Sequence, residues 1–165
     1  MIVKLSEDDR LIVEAFADAR EVKDANLYKK RGGFKREDLI CGALAELAAF
    51  NYLHQTDTPV TYPDFTIHKK KSFGADLTYN ELKFHIKGQT LESEKKYGCS
   101  FLFQKSDKLV SQPSKDDIII MCVVDINENT VYIKKELYAN EAIWGKPKIK
   151  WLEHNKKALY LEEQL

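Results

Sequence analysis

The sequence predicts an α/β (α+β) protein in which a mixed β-sheet is flanked by helices. A helical pattern from Lys35 to about His54 is rich in alanine and leucine and apolar around most of its circumference, which indicates a largely buried helix. Residues 82–89 alternate apolar and polar side chains, the period of a strand with one buried face. Residues 117–125 form a continuous apolar run rich in β-branched residues, typical of a central strand covered on both faces.

The first half of the chain is predicted to begin with a surface helix. Ser6 can cap this helix, and the acids at positions 7–9 suit the positive end of its dipole. Apolar residues at helical spacing extend the helix to about Lys23. Three further elements are predicted before residue 105: a short strand at 65–68, an irregular helix or loop at 90–97, and a strand at 98–104.

The last third of the chain is predicted to add an antiparallel strand and three smaller elements. The turn 126–129 joins the buried strand to a partner at 130–134. The remaining elements are a short helix at 137–144, an edge strand at 148–151, and a charged helix that ends at Leu165.

Length and composition predict a single domain. The chain has 165 residues, of which 44% are hydrophobic, and a chain of this size can bury a real core. We divide the domain 1–165 into an N-terminal helix and basic loop (1–34), a core (35–135) and a C-terminal extension (136–165).

The neutral net charge gives the protein no overall positive field that would attract nucleic acid. The 26 basic and 26 acidic residues give a formal net charge of zero, so any such affinity must come from local clusters. The basic clusters are Lys29–Arg31 with Lys35 and Arg36, then Lys69–Lys71, Lys95–Lys96 and Lys105. These clusters are either solvated surface or phosphate contacts, and Lys35, Arg36, Lys69 and Lys70 are the predicted contacts.

Cysteine use and hydropathy predict a soluble, cytoplasmic protein without a membrane partner. Cys41, Cys99 and Cys122 are odd in number and lack a paired spacing, which favours buried thiols in a reducing compartment and gives no support for structural zinc. No segment approaches the ~18 uninterrupted apolar residues of a membrane span.

The stretch 74–89 gathers ionisable residues on one face of a predicted hairpin. The face opposite the apolar row carries Glu81, Lys83, His85 and Lys87. Such a row is often a solvated face, but here Asp76 precedes it in Gly74-Ala75-Asp76. An Asp that opens one strand and an (Asp/Glu)-x-Lys motif on the next resemble the PD-(D/E)XK nuclease superfamily.

The resemblance implies a metal-dependent DNA endonuclease with a restriction-endonuclease-like core that hydrolyses phosphodiester bonds. Asp76 would be the central ligand of Mg²⁺ or Mn²⁺, with Glu46 and the carbonyl of Ile86 beside it. Lys87 would hold the attacking water and the scissile phosphate. Two glutamines, Gln89 and Gln104, could orient phosphate or water, or be plain surface residues.

Glu46 carries two interpretations. It lies in the apolar helix among small residues, and a buried carboxylate needs a partner. It is therefore either exposed on the one polar stripe of the helix or a metal ligand. In the superfamily a helix ahead of the Asp strand often supplies such a glutamate.

The sequence departs from the superfamily pattern at His85, where the motif usually has an acid. An imidazole there favours Mn²⁺ over Mg²⁺, relays a proton, or fills space. A second register, Glu81-Leu82-Lys83, is a literal Glu-x-Lys. We favour His85-Ile86-Lys87 because Glu81 belongs to the predicted turn.

Three functional interpretations remain open. The first is the endonuclease, acting on DNA or alternatively RNA, for which a homodimer is one way to cut two strands. The second is a member of the fold that has lost catalysis and binds nucleic acid or protein. The third is an unrelated α+β interaction domain whose hairpin charges face solvent.

Overall fold

Seven strands and four α-helices build the part of the chain that the computed structural model describes, residues 1–30, 36–66 and 74–164. The helices are α1 (Glu7–Lys30), α2 (Arg36–Gln55), α3 (Leu91–Tyr97) and α4 (Lys108–Ser111). The strands are β1 (Ile2–Lys4), β2 (Leu77–Tyr79), β3 (Leu82–Thr90), β4 (Ser100–Gln104), β5 (Asp117–Asp125), β6 (Thr130–Tyr138) and β7 (Lys156–Tyr160). Three 3-10 turns occupy Ala139–Glu141, Lys150–His154 and Leu161–Gln164.

The main sheet has five strands in the order β1-β6-β5-β3-β2. β3 and β5 are parallel, and the other neighbours are antiparallel. A parallel pair needs a long crossover, and here the crossover contains α3, β4 and α4. The predicted mixed sheet flanked by helices is therefore confirmed.

The central strand β5 is covered on both faces, as its apolar run predicts. Ile118, Ile120 and Cys122 belong to a core formed with α1 and α2. Ile119 and Met121 belong to a second core formed with a two-stranded sheet of β4 and β7. The β4–β7 sheet thus covers the face of the main sheet opposite the two long helices.

The two long helices are fixed at their N-terminal ends by polar contacts. Ser6 caps α1 as predicted: the Asp9 amide donates to the Ser6 Oγ at 3.1 Å, and the Ser6 amide donates back to the Asp9 carboxylate at 3.0 Å. Arg36, at the start of α2, forms ion pairs with Asp18 and Glu21 of α1. α1 extends to Lys30, seven residues beyond the predicted end at Lys23.

The C-terminal elements differ from the prediction. The predicted helix at 137–144 is wrong because β6 continues to Tyr138 along β5 before a 3-10 turn begins. The predicted edge strand at 148–151 and final helix are also wrong: the strand is Lys156–Tyr160, which pairs with β4. Pairing with a distant strand overrides local propensity in this short segment.

Two smaller predictions fall at the limits of the description. The predicted irregular segment 90–97 is a helix, α3, whose first turn is capped by the Thr90 hydroxyl. Of the strand predicted at 65–68, Phe65 and Thr66 are not in a strand, and the other two residues lie outside the described residues. No helix in the described part of the chain is long and apolar enough to cross a membrane.

Candidate active site

Asp76 continues the hydrogen bonding between β2 and β3 beyond their last paired residues, partly through its side chain. β2 has three residues and β3 has nine, and their pairing ends at Leu77 and Phe84. The Asp76 amide donates to the Phe84 carbonyl at 3.0 Å, and the Asp76 Oδ2 accepts the Ile86 amide at 2.6 Å. Because the amide and carbonyl of one strand residue point to the same side, the Ile86 carbonyl faces this edge too. Carboxylate and carbonyl oxygens therefore meet where β2 ends.

Gly88 explains how α2 comes close to this edge. A Cβ at Gly88 would lie 3.1 Å from the Ala45 Cβ and 3.1 Å from the Cys41 carbonyl. The missing side chain lets the helix approach β3 more closely than any other residue would allow. Glu46 follows Ala45 in α2, so this approach brings its carboxyl group toward the end of the β2–β3 ladder.

The pKa values of the two acids at this edge, Glu46 and Asp76, are both raised. Burial, together with the charges of Asp76 and Asp64, raises the pKa of Glu46 to about 8, while the charge of Lys87 acts against the rise. Burial also raises the pKa of Asp76, although the Ile86 amide, Lys87 and His85 act against the rise. Acids that cannot all ionise at neutral pH without a counter-charge are a favourable environment for a cation.

Lys87 approaches the same acids from the other face of the sheet. Its Nζ lies 4.8 Å from the centroid of the Phe103 ring, on the side covered by β4. It nevertheless lowers the pKa of both Glu46 and Asp76, so its charge reaches both carboxyl groups. Groups from opposite faces of a sheet can meet at its edge, and the early end of β2 provides such an edge.

His85 is held by a partner that the sequence analysis did not anticipate. Its Nε2 lies 2.9 Å from the Asp117 Oδ1, and both side chains are 14% exposed. The Ser114 amide donates to the other Asp117 oxygen at 3.0 Å. Burial by itself raises the pKa of Asp117, but the His85 and Ser114 hydrogen bonds and the neighbouring positive charges outweigh it, and the pKa is lowered. His85 and Asp117 therefore form an oriented hydrogen-bonded pair.

Gln89 has a structural place in the fold. Its side-chain nitrogen donates to the Gly98 carbonyl at 2.9 Å and to the Ser93 Oγ at 3.3 Å. Its side-chain oxygen accepts the Ser100 amide at 3.1 Å. These bonds join the end of β3 to the beginning of β4, so the buried amide is engaged in linking the two sheets.

Two of the predicted nucleic-acid contacts belong to the part of the chain that the structure describes, and they lie on different elements. Arg36 is bound to the acids of α1, and Gln104 is exposed at the end of β4, on the outward face with Leu102. The other predicted contacts, Lys35, Lys69 and Lys70, lie outside the described residues.

The two motif registers occupy different places. Glu81 is exposed in the turn after Asn80, whose φ of 52° is in the left-handed region, and Lys83 is exposed on β3. Asp76 contacts Phe84 and Ile86, and Ile86 is the middle residue of the favoured motif, directly before Lys87. The geometry favours the His85-Ile86-Lys87 register.

Sequence reasoning missed Asp64 and Asp117. Asp64 acts on the pKa of Glu46 from a loop, where its Oδ1 accepts the Thr66 amide at 2.9 Å. The sequence feature that could have drawn attention to Asp64 is the Pro63-Asp64 dipeptide, which lies between α2 and the hairpin. Asp117 begins β5, and only the parallel pairing of β5 with β3 brings it to His85.

Neither a cluster of metal ligands among the described residues nor a match to a known protein identifies the site. Among residues 1–30, 36–66 and 74–164, no three His, Cys, Asp or Glu side chains form a ready-made metal site. No protein-family model, curated protein or solved structure matches this chain.

Proposed function

We propose that the protein is a metal-dependent endonuclease of the PD-(D/E)XK kind that hydrolyses phosphodiester bonds in DNA. The observation that carries the proposal is the meeting of Glu46, Asp76 and Lys87 at the end of the β2–β3 ladder. These residues come from a helix, a loop and a strand, and the charge of Lys87 lowers the pKa of both carboxyl groups.

The order of elements supports a restriction-endonuclease-like core. A glutamate helix, α2, precedes a hairpin that carries the Asp and the x-x-Lys residues. A fully buried strand, β5, follows and lies parallel to the second arm of the hairpin. This is the arrangement that the resemblance implies for residues 35–135.

The donor set at the edge fits Mg²⁺ or Mn²⁺. Hard divalent cations take one or two carboxylates and fill their other positions with water and phosphate oxygens. Asp76 and Glu46 would hold the ion through carboxylates, and Ile86 through its carbonyl. Two protein carboxylates suffice for such an ion, so the lack of a three-residue cluster in the described chain is compatible with the proposal. When bound, the ion makes water a better nucleophile and neutralises charge on the phosphate.

The side chains around the acids would bind and orient the reactants. Lys87 would place a point charge beside the scissile phosphate, and its position over the Phe103 ring limits the directions it can take. His85 is oriented by Asp117 through Nε2, so Nδ1 is the ring atom that would accept a proton from water. Asp117 would act by positioning His85.

A catalytically impaired binding module is the second candidate. The observation that favours it is His85 itself, which stands where the motif has an acid and is engaged by Asp117. In that case the edge would bind phosphate through Lys87 without cleaving it.

The test is cleavage of supercoiled plasmid in Mg²⁺ and separately in Mn²⁺, with single-stranded and branched DNA alongside. Wild type should cleave, and Asp76→Ala and Lys87→Ala should not, while circular dichroism shows that both variants fold. Asp8→Asn and Lys4→Ala are matched controls, because both sit at or beside β1, at the opposite edge of the sheet from β2. A wild-type protein inactive with both metals would reject the nuclease in favour of the binding module.

A further inference from the structure

The two tryptophans have opposite environments. Trp144 packs edge to face against Phe103, with ring centroids 5.0 Å apart. Trp151 is 72% exposed. An indole left in water forgoes the stabilisation that burial would give, and its flat faces are open for stacking.

The turn that carries Trp151 is anchored so that the indole faces outward. Trp151 lies in the 3-10 turn Lys150–His154, and the Trp151 carbonyl contacts the His154 ring. The next residue, Leu152, lines a hollow of about 150 Å³ together with Leu102, Pro147 and Tyr160. Leu152 thus holds the turn against the β4–β7 sheet while Trp151 projects into solvent.

The sequence around Trp151 is basic although the chain as a whole is neutral. Between residues 144 and 160 the charged side chains are Lys146, Lys148, Lys150, Lys156 and Lys157 against Glu153. Lys105 joins them, because its amide donates to the Asn155 carbonyl at 2.9 Å. Lys105 and Lys150 are exposed, so their ammonium groups can reach a ligand that covers Trp151.

Lys157 belongs to the other face of the β4–β7 sheet. It pairs with Phe103, whose ring lies under Lys87, and opposite residues in an antiparallel pair project from the same face. The Trp151 turn instead lies against Leu102 on the outward face of β4, because Leu152 and Leu102 line one hollow. The lysines that accompany Trp151 are therefore Lys105 and Lys150.

We propose that Trp151 stacks on an unpaired base of a nucleic-acid strand whose phosphates contact Lys105 and Lys150. The choice of nucleic acid as ligand rests on the proposed function, and the inference adds that the substrate contains a single-stranded segment. Aromatic rings among cations are how proteins bind single strands without sequence preference.

Two alternatives fit the surface less well. A duplex keeps its bases stacked inside, so an exposed ring gains little from it. An acidic protein would be expected to cover a contiguous apolar patch, whereas the surface presents one projecting ring among lysines.

The test is fluorescence anisotropy of a labelled oligothymidine strand in EDTA, where metal-dependent cleavage cannot occur. Trp151→Ala should weaken binding about tenfold or more, and Trp151→Phe should recover part of the loss. Lys150→Gln should lower the slope of log affinity against log salt by about 0.7. Leu11→Ala, on the surface of α1 and 63% exposed, is the matched control and should bind like wild type.

Each outcome separates this inference from the proposed function. Equal affinity of wild type and Trp151→Ala would overturn the stacking platform even if plasmid is cleaved. Stronger competition by a duplex or by polyglutamate than by the unlabelled single strand would overturn the choice of ligand. Binding that depends on Trp151 in a protein that cleaves with neither metal would keep this inference and reject the nuclease.

Discussion

Asp76 and Asp117 lie on opposite sides of β3, and their surroundings shift their pKa values in opposite directions. Burial raises the pKa of Asp76, whose carboxylate accepts a hydrogen bond from the Ile86 amide of β3. Asp117 is half-buried, and hydrogen bonds from His85 and Ser114 and nearby positive charges outweigh the burial and lower its pKa. The difference is that Asp117 is hydrogen-bonded by both a side chain and a backbone amide, whereas burial prevails at Asp76 despite Lys87 and His85.

The comparison indicates which carboxylate is available for chemistry. An acid that is already paired gains little from another cation, whereas two acids with raised pKa values gain a great deal. The proposed metal would therefore bind at the β2 edge, and the β5 side orients His85. The predictions below test this division.

The largest expected difference is in cleavage. Asp76→Asn removes the carboxylate proposed to bind the metal directly and should lower kcat about a thousandfold. Asp117→Asn disturbs only the residue that positions His85, and should lower kcat about tenfold. Single-turnover plasmid cleavage measures both, and similar losses in the two variants would remove the distinction between the sides.

Glu46→Gln should stabilise the metal-free protein at alkaline pH. Because the pKa of Glu46 rises from 4.5 to about 8 on folding, the native state holds a proton that the unfolded chain releases, and wild-type stability falls as pH rises through this range. Glutamine cannot ionise, so the variant should be more stable by about 1–2 kcal/mol at pH 9 and less active. Urea unfolding at pH 5 and pH 9 measures the difference, and a variant less stable at pH 9 would contradict it.

Asp117→Asn should have the opposite effect on stability. The lowered pKa of Asp117 contributes stability above its ordinary value of 3.8, and this contribution is lost as pH falls through the lower native value. The variant should be less stable by about 1 kcal/mol at pH 7. Unfolding curves of the two proteins should converge below pH 3, and a constant gap at all pH values would indicate a packing defect instead.

The smallest expected effect is a change of metal preference. His85→Asp introduces the acid of the superfamily motif, although it also removes the hydrogen bond between His85 and Asp117. The ratio of cleavage rates in Mg²⁺ and Mn²⁺ should shift a few-fold toward Mg²⁺, because carboxylate suits the harder ion and imidazole the softer one. An unchanged ratio would place His85 away from the metal.

The parts of the fold that could be predicted are those with a strong local pattern. The apolar helix α2, the alternating strand β3 and the continuous run of β5 were all recognisable because periodicity reports burial directly. β7 was not recognisable, since five residues with two lysines have no strand pattern until β4 pairs with them. β1 was missed for the same reason, being three residues at a sheet edge.

The sequence predicted which residue types form the candidate site, but not how all of them are arranged. Spacing indicated that Asp76 and Lys87 belong to one hairpin, and the apolar surroundings of Glu46 singled it out. Asp117 could not be inferred, because it reaches His85 only through the parallel pairing of β3 with β5. Gln89 looked like a catalytic candidate on the face of Lys87, and only the path of β4 reveals its bonds to Gly98 and Ser100.

Divalent-cation binding to the metal-free protein tests the central claim most directly. Mn²⁺ titration followed by electron paramagnetic resonance should give a bound ion in wild type and in Asp117→Asn, and a much weaker one in Asp76→Asn. Wild type that binds no Mn²⁺, or Asp76→Asn that binds it as tightly as wild type, would contradict the assignment of the metal to the β2 edge.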